Sequence, residues 1–274
     1  PAGMEAARVA AIRGHQVTLL EKESRTGGLL SLAALVKGTT IEDLPLLIKY
    51  LQGQLVRYGV TVEKGKRATP QTILSYRPDA VIIATGGKPA VPDIPGIQSK
   101  KVLSMERLHR QLKVLLKVFD SYQLNRLTRI WMPVGKRALI IGSGIQACEL
   151  AEFLVKRKRA VTIIDTQEVP GVDIVPDETK DSLLNWLVKK GTVFHMNSEI
   201  KEIIPEGVKI VTKNGQETLV KADSIIPALP LVPNPELFKS LENRIEEVFA
   251  VGDCGTPGLI PDAVSTGAEV GYQI

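Results

Sequence analysis

Cysteine is scarce in this sequence, and its two copies, Cys148 and Cys254, stand far apart. That spacing excludes a disulfide framework, a zinc site built on paired cysteines and a closely spaced thiol–disulfide relay. It fits a reducing, cytoplasmic compartment. Cys148 reads as a small core residue on a helix. Aromatic residues make up 4% of the chain, too few for a platform on which nucleic-acid bases stack. The net charge is only +5 and most bases are mixed with acids, so nucleic-acid binding is set aside. No apolar run reaches the length needed to span a bilayer. There is no Gly-x-Ser-x-Gly elbow. His15, His109 and His195 have no acid partner nearby in sequence and read as structural or exposed rather than as general bases.

What remains is ordinary globular composition, 44% apolar over 274 residues, enough for one large or two medium domains. Short Val- and Ile-rich runs alternate with helical stretches. "QVTLLE", "DAVIIATGG", "RALIIGSG", "AVTIID" and "VFAVGD" read as buried parallel strands ending in Gly, Asp or Glu. Between them, 2–13, 41–58, 144–158 and 177–190 read as helices. The expectation is an α/β fold with mostly parallel sheets. Residues 199–227 break the alternation and predict a small antiparallel meander with a turn at Asn214-Gly215. The proline-rich stretch 88–97 reads as a linker. Residues 104–132 predict a long amphipathic segment, basic through Arg107, Arg110, Lys113, Lys117, Arg126 and Arg129 against Glu106 and Asp120. It reads first as a helical insertion on its own domain; a docking face and a membrane-surface helix are the alternatives.

One stretch carries a complete nucleotide-binding pattern. "RALIIGSGIQACELAEFLVKRKRAVTIID" runs strand, glycine turn, helix, strand, acid. Gly142 permits the tight turn, and Gly144 lets the backbone approach a pyrophosphate. Ala147 is small enough for close helix–strand packing. Ser143, Ile145 and Gln146 complete the turn, and the helix start offers free N–H groups to phosphate. Asp165, with Thr166 after it, stands about twenty residues on, where it can accept from a ribose diol. An acid there repels a 2′-phosphate, so NADH is favoured over NADPH. The alternative is a turn that packs a helix on a sheet with no ligand. The basic run Lys156 to Arg159 reads as a solvated face that compensates the helix dipole.

The opening "PAGMEAARVAAIRGHQVTLLEK" repeats the second half of that pattern, with Pro1, Ala2 and Gly3 before the helix and Glu21 and Lys22 at the end of the strand. The chain opens on Pro1 rather than Met. The expectation is that the natural product extends further, with a strand ending in Gly-x-Gly just before Pro1. Gly27-Gly28-Leu29 forms a further glycine turn. Ala84-Thr85-Gly86 ends a strand, and Gly252-Asp253 ends another near the C-terminus.

In this order, half-site, Gly-Gly, Ala-Thr-Gly, full glycine turn and Gly-Asp, the chain resembles the flavoproteins with two dinucleotide-binding domains. Within them it is most similar to the C-terminal reductase module of the Old Yellow Enzyme-like NADH:flavin oxidoreductases, the type of 2,4-dienoyl-CoA reductase, 2-enoate reductase and trimethylamine dehydrogenase. The resemblance covers essentially the whole chain. It implies two Rossmann-like domains, with the NAD(H) domain, 101–244, inserted into an FAD domain made of 1–100 and 245–274. It implies FAD held by Pro1, Ala2, Gly3, Glu21, Lys22, Gly27, Gly28, Leu29, Ala68, Ala84, Thr85, Gly86, Gly252, Asp253 and the stretch Ile260 to Ala263. NADH is then held by Gly142, Ser143, Gly144, Ile145, Gln146, Asp165 and Thr166. Pro230, in "ALPLVPN", replaces a glycine that the family often has.

The implied activity is hydride transfer from NADH to FAD, with electrons passing on to an FMN/iron–sulfur barrel domain on the same or another chain. The substrate class implied is an enoate or enoyl-CoA. No protein side chain is expected to do the chemistry, since the cofactors carry it. A stand-alone NADH reductase for an iron–sulfur carrier and a non-catalytic nucleotide-binding domain remain open, as does self-association.

Overall fold

The computed structural model describes residues 1–37, 44–119, 121–174 and 177–274. Residues 41–43 of the expected helix 41–58, and Asp120 of the basic segment, lie outside the described residues. The chain divides into two compact units. One comprises Pro1–Ala34, Thr39–Lys88 and Leu231–Ile274, and the other Leu35–Gly38 and Pro89–Pro230. We call them the outer and the inner unit after their order along the chain.

The inner unit holds a four-stranded parallel sheet in the order Ser224–Pro227, Arg137–Ile141, Ala160–Ile164, Val193–His195. The two central strands are continuous runs of β-branched and aliphatic residues, buried along most of their length. That is the pattern of a strand covered on both faces. Helix Ile145–Val155 joins them, burying Ala147, Cys148, Leu150, Ala151, Phe153 and Leu154. Ile94 and Ile97 of the proline-rich stretch pack on the same core as Leu139, Ile164 and Ile225.

The expected meander forms only in part. Glu199–Ile204, Gly207–Val211 and Glu217–Lys221 make an antiparallel sheet. Its turn is at Asn214-Gly215, with Gly215 at φ +74°. Ser224–Pro227, which the sequence pattern places in the meander, instead joins the parallel sheet beside Arg137–Ile141. The cause is burial. Glu217–Lys221 alternates exposed and half-buried residues and suits a one-sided sheet, whereas all four residues of Ser224–Pro227 are buried.

The basic segment is two helices, Met105–Val118 and Ser121–Ile130. Ser104 caps the first by accepting from the Arg107 amide at 3.3 Å. The second explains a correction. Arg157, expected on a solvated face, is only 4% exposed. Its guanidinium donates to Thr128 Oγ1 at 2.9 Å, to the Phe153 carbonyl at 2.9 Å and to the Asn125 carbonyl at 3.2 Å. It also stacks 3.3 Å from the centroid of the Phe153 ring. A buried cation is tolerable only when its donors are satisfied, and here carbonyls and a hydroxyl do that. Burial, and after it the charge of Arg129, hold its pKa down at about 10.

In the outer unit Thr18–Glu21 pairs in parallel with Thr61–Lys64, and Ala80–Ile83 with Glu247–Ala250. Helix Ala2–Ile12 lies against helix Ile260–Gln273 at backbone distance. A Cβ on Gly267 would come within 2.4 Å of the Ala2 carbonyl oxygen, and one on Gly271 within 2.8 Å of Val9 Cβ. Met4 and Ala7 face the other way, onto Leu51, Leu55 and Val60.

Candidate functional site

The glycine turn of the inner unit is held on three sides. Gly142 donates its amide to the Ile164 carbonyl at 2.9 Å, which extends the pairing of the two central strands. Its φ is +102°, and a Cβ would stand 2.8 Å from the Ala228 carbonyl oxygen. Both the conformation and the space admit only glycine. Gly144 is the N-cap of helix Ile145–Val155 and has no capping side chain of its own. Ala147, fully buried, is where the helix meets the strand.

Ser143 and Asp165 meet. Ser143 is 2% exposed and donates its Oγ to Asp165 Oδ2 at 2.7 Å. Asp165 Oδ1 accepts from the Gln167 amide at 3.1 Å and from Thr166 Oγ1 at 3.4 Å. The carboxylate is thereby fixed in direction, and it keeps lone pairs for a diol, since two carboxylate oxygens offer about four acceptor sites. Gln146 and Thr166 are exposed at the edges of this turn.

One participant has no signal in the sequence. Asp173 Oδ1 accepts from the Ile145 amide at 2.7 Å, the first N–H of the helix. A local reading misses it because donor and acceptor are 28 residues apart.

In the outer unit the expected residues draw together around the start of helix Ala2–Ile12. A Cβ on Gly3 would stand 2.8 Å from Ala84 Cβ. Gly252, at φ +63°, leaves room for only 2.8 Å to Ala2 Cβ and 3.6 Å to Ala263 Cβ. A Cβ on Gly28, also at positive φ, would stand 4.0 Å from Pro1 Cδ. Gly86 turns the chain at φ +75°, and the neighbouring Gly87 lies against the Asp253 carbonyl, a contact the sequence did not suggest. Asp253 Oδ1 accepts from the Gly258 amide at 3.2 Å. Helix Ile260–Gln273 begins in the stretch that the resemblance brings to FAD, with Asp262 Oδ2 accepting from the Leu259 amide at 2.7 Å.

The remaining expected residues have the following surroundings. Glu21 ends its strand and accepts from the Glu23 amide at 2.9 Å. Lys22 and Thr85 are exposed, and Leu29 is half-buried. Ala68 packs on the core cluster of Ile73, Ile83 and Cys254. Gly27 faces Ile48.

Both cysteines are buried, Cys148 in the inner unit and Cys254 in the outer. Burial, with Asp173 and Glu149 adding to it, pushes the Cys148 thiol up to about 12. Cys254 is also raised by burial and donates to the Ile83 carbonyl at 2.9 Å. Neither is a nucleophile in this state. Among the described residues there is no cluster of His, Cys, Asp and Glu that could hold a metal, and no helix is long and apolar enough to cross a membrane.

A glycine turn at a helix start between parallel strands in one unit, and a helix start packed against Ala84 and Gly252 in the other, fit an α/β protein with two dinucleotide-binding units. The family model of the pyridine nucleotide-disulphide oxidoreductases matches residues 1–267, and the chain belongs to that family. The family is one of pyridine-nucleotide-dependent oxidoreductases, and the cofactors that membership implies are FAD and NAD(H). An NADH oxidase of Thermoanaerobacter brockii is 32% identical over all of this chain and 40% of its own length. A cinnamate reductase of Clostridium sporogenes is 30% identical, again over all of this chain and 38% of its own. Among solved structures, a 2-naphthoyl-CoA reductase bound to 2-naphthoyl-CoA superposes with a TM-score of 0.84 at 27% identity, covering the whole chain and 38% of that protein. The chain thus spans about two fifths of these relatives, each of which carries further chain beyond the matched module. The residues present fit both cofactors. At the turns of Gly142 and Gly252, and at Gly3 in the first turn of its helix, the backbone approaches a neighbour more closely than a side chain allows, the close packing that a dinucleotide-binding unit requires.

Proposed function

We propose that the inner unit receives NADH at Gly142–Gln146 and Asp165, and that the outer unit holds FAD around Pro1–Gly3, Gly28, Ala84–Gly86, Gly252 and Asp253. With that assignment we place the FAD domain at 1–100 with 245–274 and the NAD(H) domain at 101–244, whereas the compact units divide after Lys88 and after Pro230. The observation that carries it is the Ser143–Asp165 hydrogen bond of 2.7 Å beside a glycine-only turn. The bond holds an acid at the ribose position while the turn keeps the helix start open to phosphate. When bound, the flavin supplies a ring that accepts hydride from the nicotinamide of NADH. The chain's own part is to bind and orient: glycine backbone against phosphate, carboxylates against sugar hydroxyls, and the start of helix Ile260–Gln273 near the flavin's pyrimidine end, where its dipole favours negative charge.

Electrons then pass to a further centre, in our reading an FMN/iron–sulfur barrel domain that reduces an enoate or enoyl-CoA type substrate. The names of the cinnamate and 2-naphthoyl-CoA reductases, and the two-fifths coverage of both, support that reading. The buried cysteines support electron exit by a route other than a disulfide.

The test is a visible spectrum of the purified protein under argon. Flavin bands that bleach on adding NADH are expected. A colourless protein that binds ADP and shows no NADH-dependent dye reduction would overturn the reading.

A further inference from the structure

The start of helix Ile145–Val155 already holds an anion, and it comes from the chain itself. Asp173 Oδ1 accepts from the Ile145 amide at 2.7 Å. A Cβ on Gly144 would stand 2.8 Å from Asp173 Oδ2, so the carboxylate lies over the bare backbone of the turn. The chain beside Asp173 is fastened. The Gly171 amide donates to the Ser143 carbonyl at 2.8 Å, and Ile174 is 3% exposed. Asp173 itself is exposed. Its backbone is therefore anchored on both sides while its carboxylate is open to solvent and able to turn away.

A helix start attracts anions through its free N–H groups and its partial positive charge. It cannot hold a carboxylate and a phosphate on the same amide, because the amide has one hydrogen and the two anions repel.

We propose that Asp173 is an internal competitor of the dinucleotide. Its carboxylate takes the pyrophosphate position when the inner unit is empty and rotates out when NADH enters. This rests on the reading of Gly142–Gln146 as the NADH site. Two consequences follow from the exchange of one anion for another. The empty turn stays capped and formed. The spent nucleotide leaves faster, because an anion of the protein's own replaces its phosphate. Binding affinity is lowered by what the cap contributes, and only for ligands that carry phosphate on that amide.

The test compares the full protein with its Asp173→Ala and Asp173→Asn variants. Kd is measured for NADH, ADP and adenosine, and Tm for the empty proteins. The expected result is a Kd for NADH and ADP that falls roughly three- to tenfold in Asp173→Ala, the size of a lost N-cap. Adenosine affinity should not change, and the Tm of the empty variant should drop. If Asp173→Ala does not fold, Asp173→Asn, which keeps the shape and loses the charge, is measured in its place and should tighten NADH and ADP in the same direction. A lowered Tm with unchanged or weakened NADH binding overturns the proposal and leaves Asp173 a plain helix cap. Should the wild type bind neither NADH nor ADP, the NADH-site reading fails on its own. Inorganic pyrophosphate then decides between the two: tighter binding by the variant upholds the competition, and no gain overturns it.

Discussion

The two units repeat one pattern, turn, helix, strand, acid, and build it differently. In the inner unit the strand before the turn, Arg137–Ile141, is paired on both sides and buried from Ala138 onward. Its acid is locked to the turn by Ser143. In the outer unit Thr18–Glu21 and Ala80–Ile83 belong to separate pairs and are mostly half-buried. The turn there is assembled from four stretches of chain, at Pro1–Gly3, Gly28, Ala84–Gly87 and Gly252–Ala263, and its acid Glu21 accepts from the amide of Glu23, two residues on. A pattern shared in sequence thus becomes a local device in one unit and a composite one in the other. Local devices should fail by single substitutions in the turn. Composite ones should fail by substitutions at the helix–helix seam.

The sharpest break is at Gly142. Gly142→Val puts a branched side chain at φ +102° and within 2.8 Å of the Ala228 carbonyl. It should lower stability by about 2–4 kcal/mol and abolish NADH binding. Flavin content, which our reading assigns to the outer unit, should survive in whatever folds. Urea denaturation and NADH titration read both.

Next comes Arg157→Met. It keeps the volume of the stem but removes three hydrogen bonds and the stacked cation on Phe153. A loss of about 2–3 kcal/mol is expected, because Thr128 and two carbonyls are left without their donor. A loss below half of that would show that water replaces the guanidinium.

Asp165→Ser tests specificity. Losing a charged acceptor should weaken NADH roughly 10- to 100-fold. NADPH, which the acid repels, should lose far less. Equal losses for both would remove Asp165 from the ribose.

The smallest effect lies at the foot of the inner sheet. Arg137 donates to Asp223 Oδ1 through its guanidinium at 2.6 Å and to Oδ2 through its amide at 2.9 Å. Those bonds, the guanidinium's first, hold the Asp223 pKa at about 2, below its ordinary 3.8. A lowered carboxylate pKa stabilises the fold above the ordinary value, and that contribution is lost as pH falls through about 2. Arg137→Met should therefore flatten the fall in stability between pH 4 and pH 2, read as Tm against pH. An unchanged slope would assign the acid sensitivity to other carboxylates.

Much of this fold is legible in the chain, and for a local reason. "RALIIGSG" and "AVTIID" are strands because β-branched runs of that length bury well in a parallel sheet. Gly142, Gly28 and Gly252 stand at positive φ where only glycine is comfortable. The helices begin and end near the glycines and acids that predict their limits. Ser224–Pro227 escapes such a reading because an apolar run of four cannot tell a meander from a central sheet. Arg157 escapes it because a place at the end of a basic run says nothing about Thr128 and Asn125, which come from another helix.

By itself, then, the sequence determined the turns, the strands around them and the pairing of a nucleotide pattern with an acid, since each depends on neighbours within one supersecondary unit. Only the tertiary structure decided what lies against those turns. The Ala228 carbonyl behind Gly142, the Ser143 hydroxyl on Asp165 and the Asp173 carboxylate on the Ile145 amide are contacts between distant parts of the chain. Hydrogen bonding and close packing select those partners after the chain has folded, and no periodicity in the sequence records them.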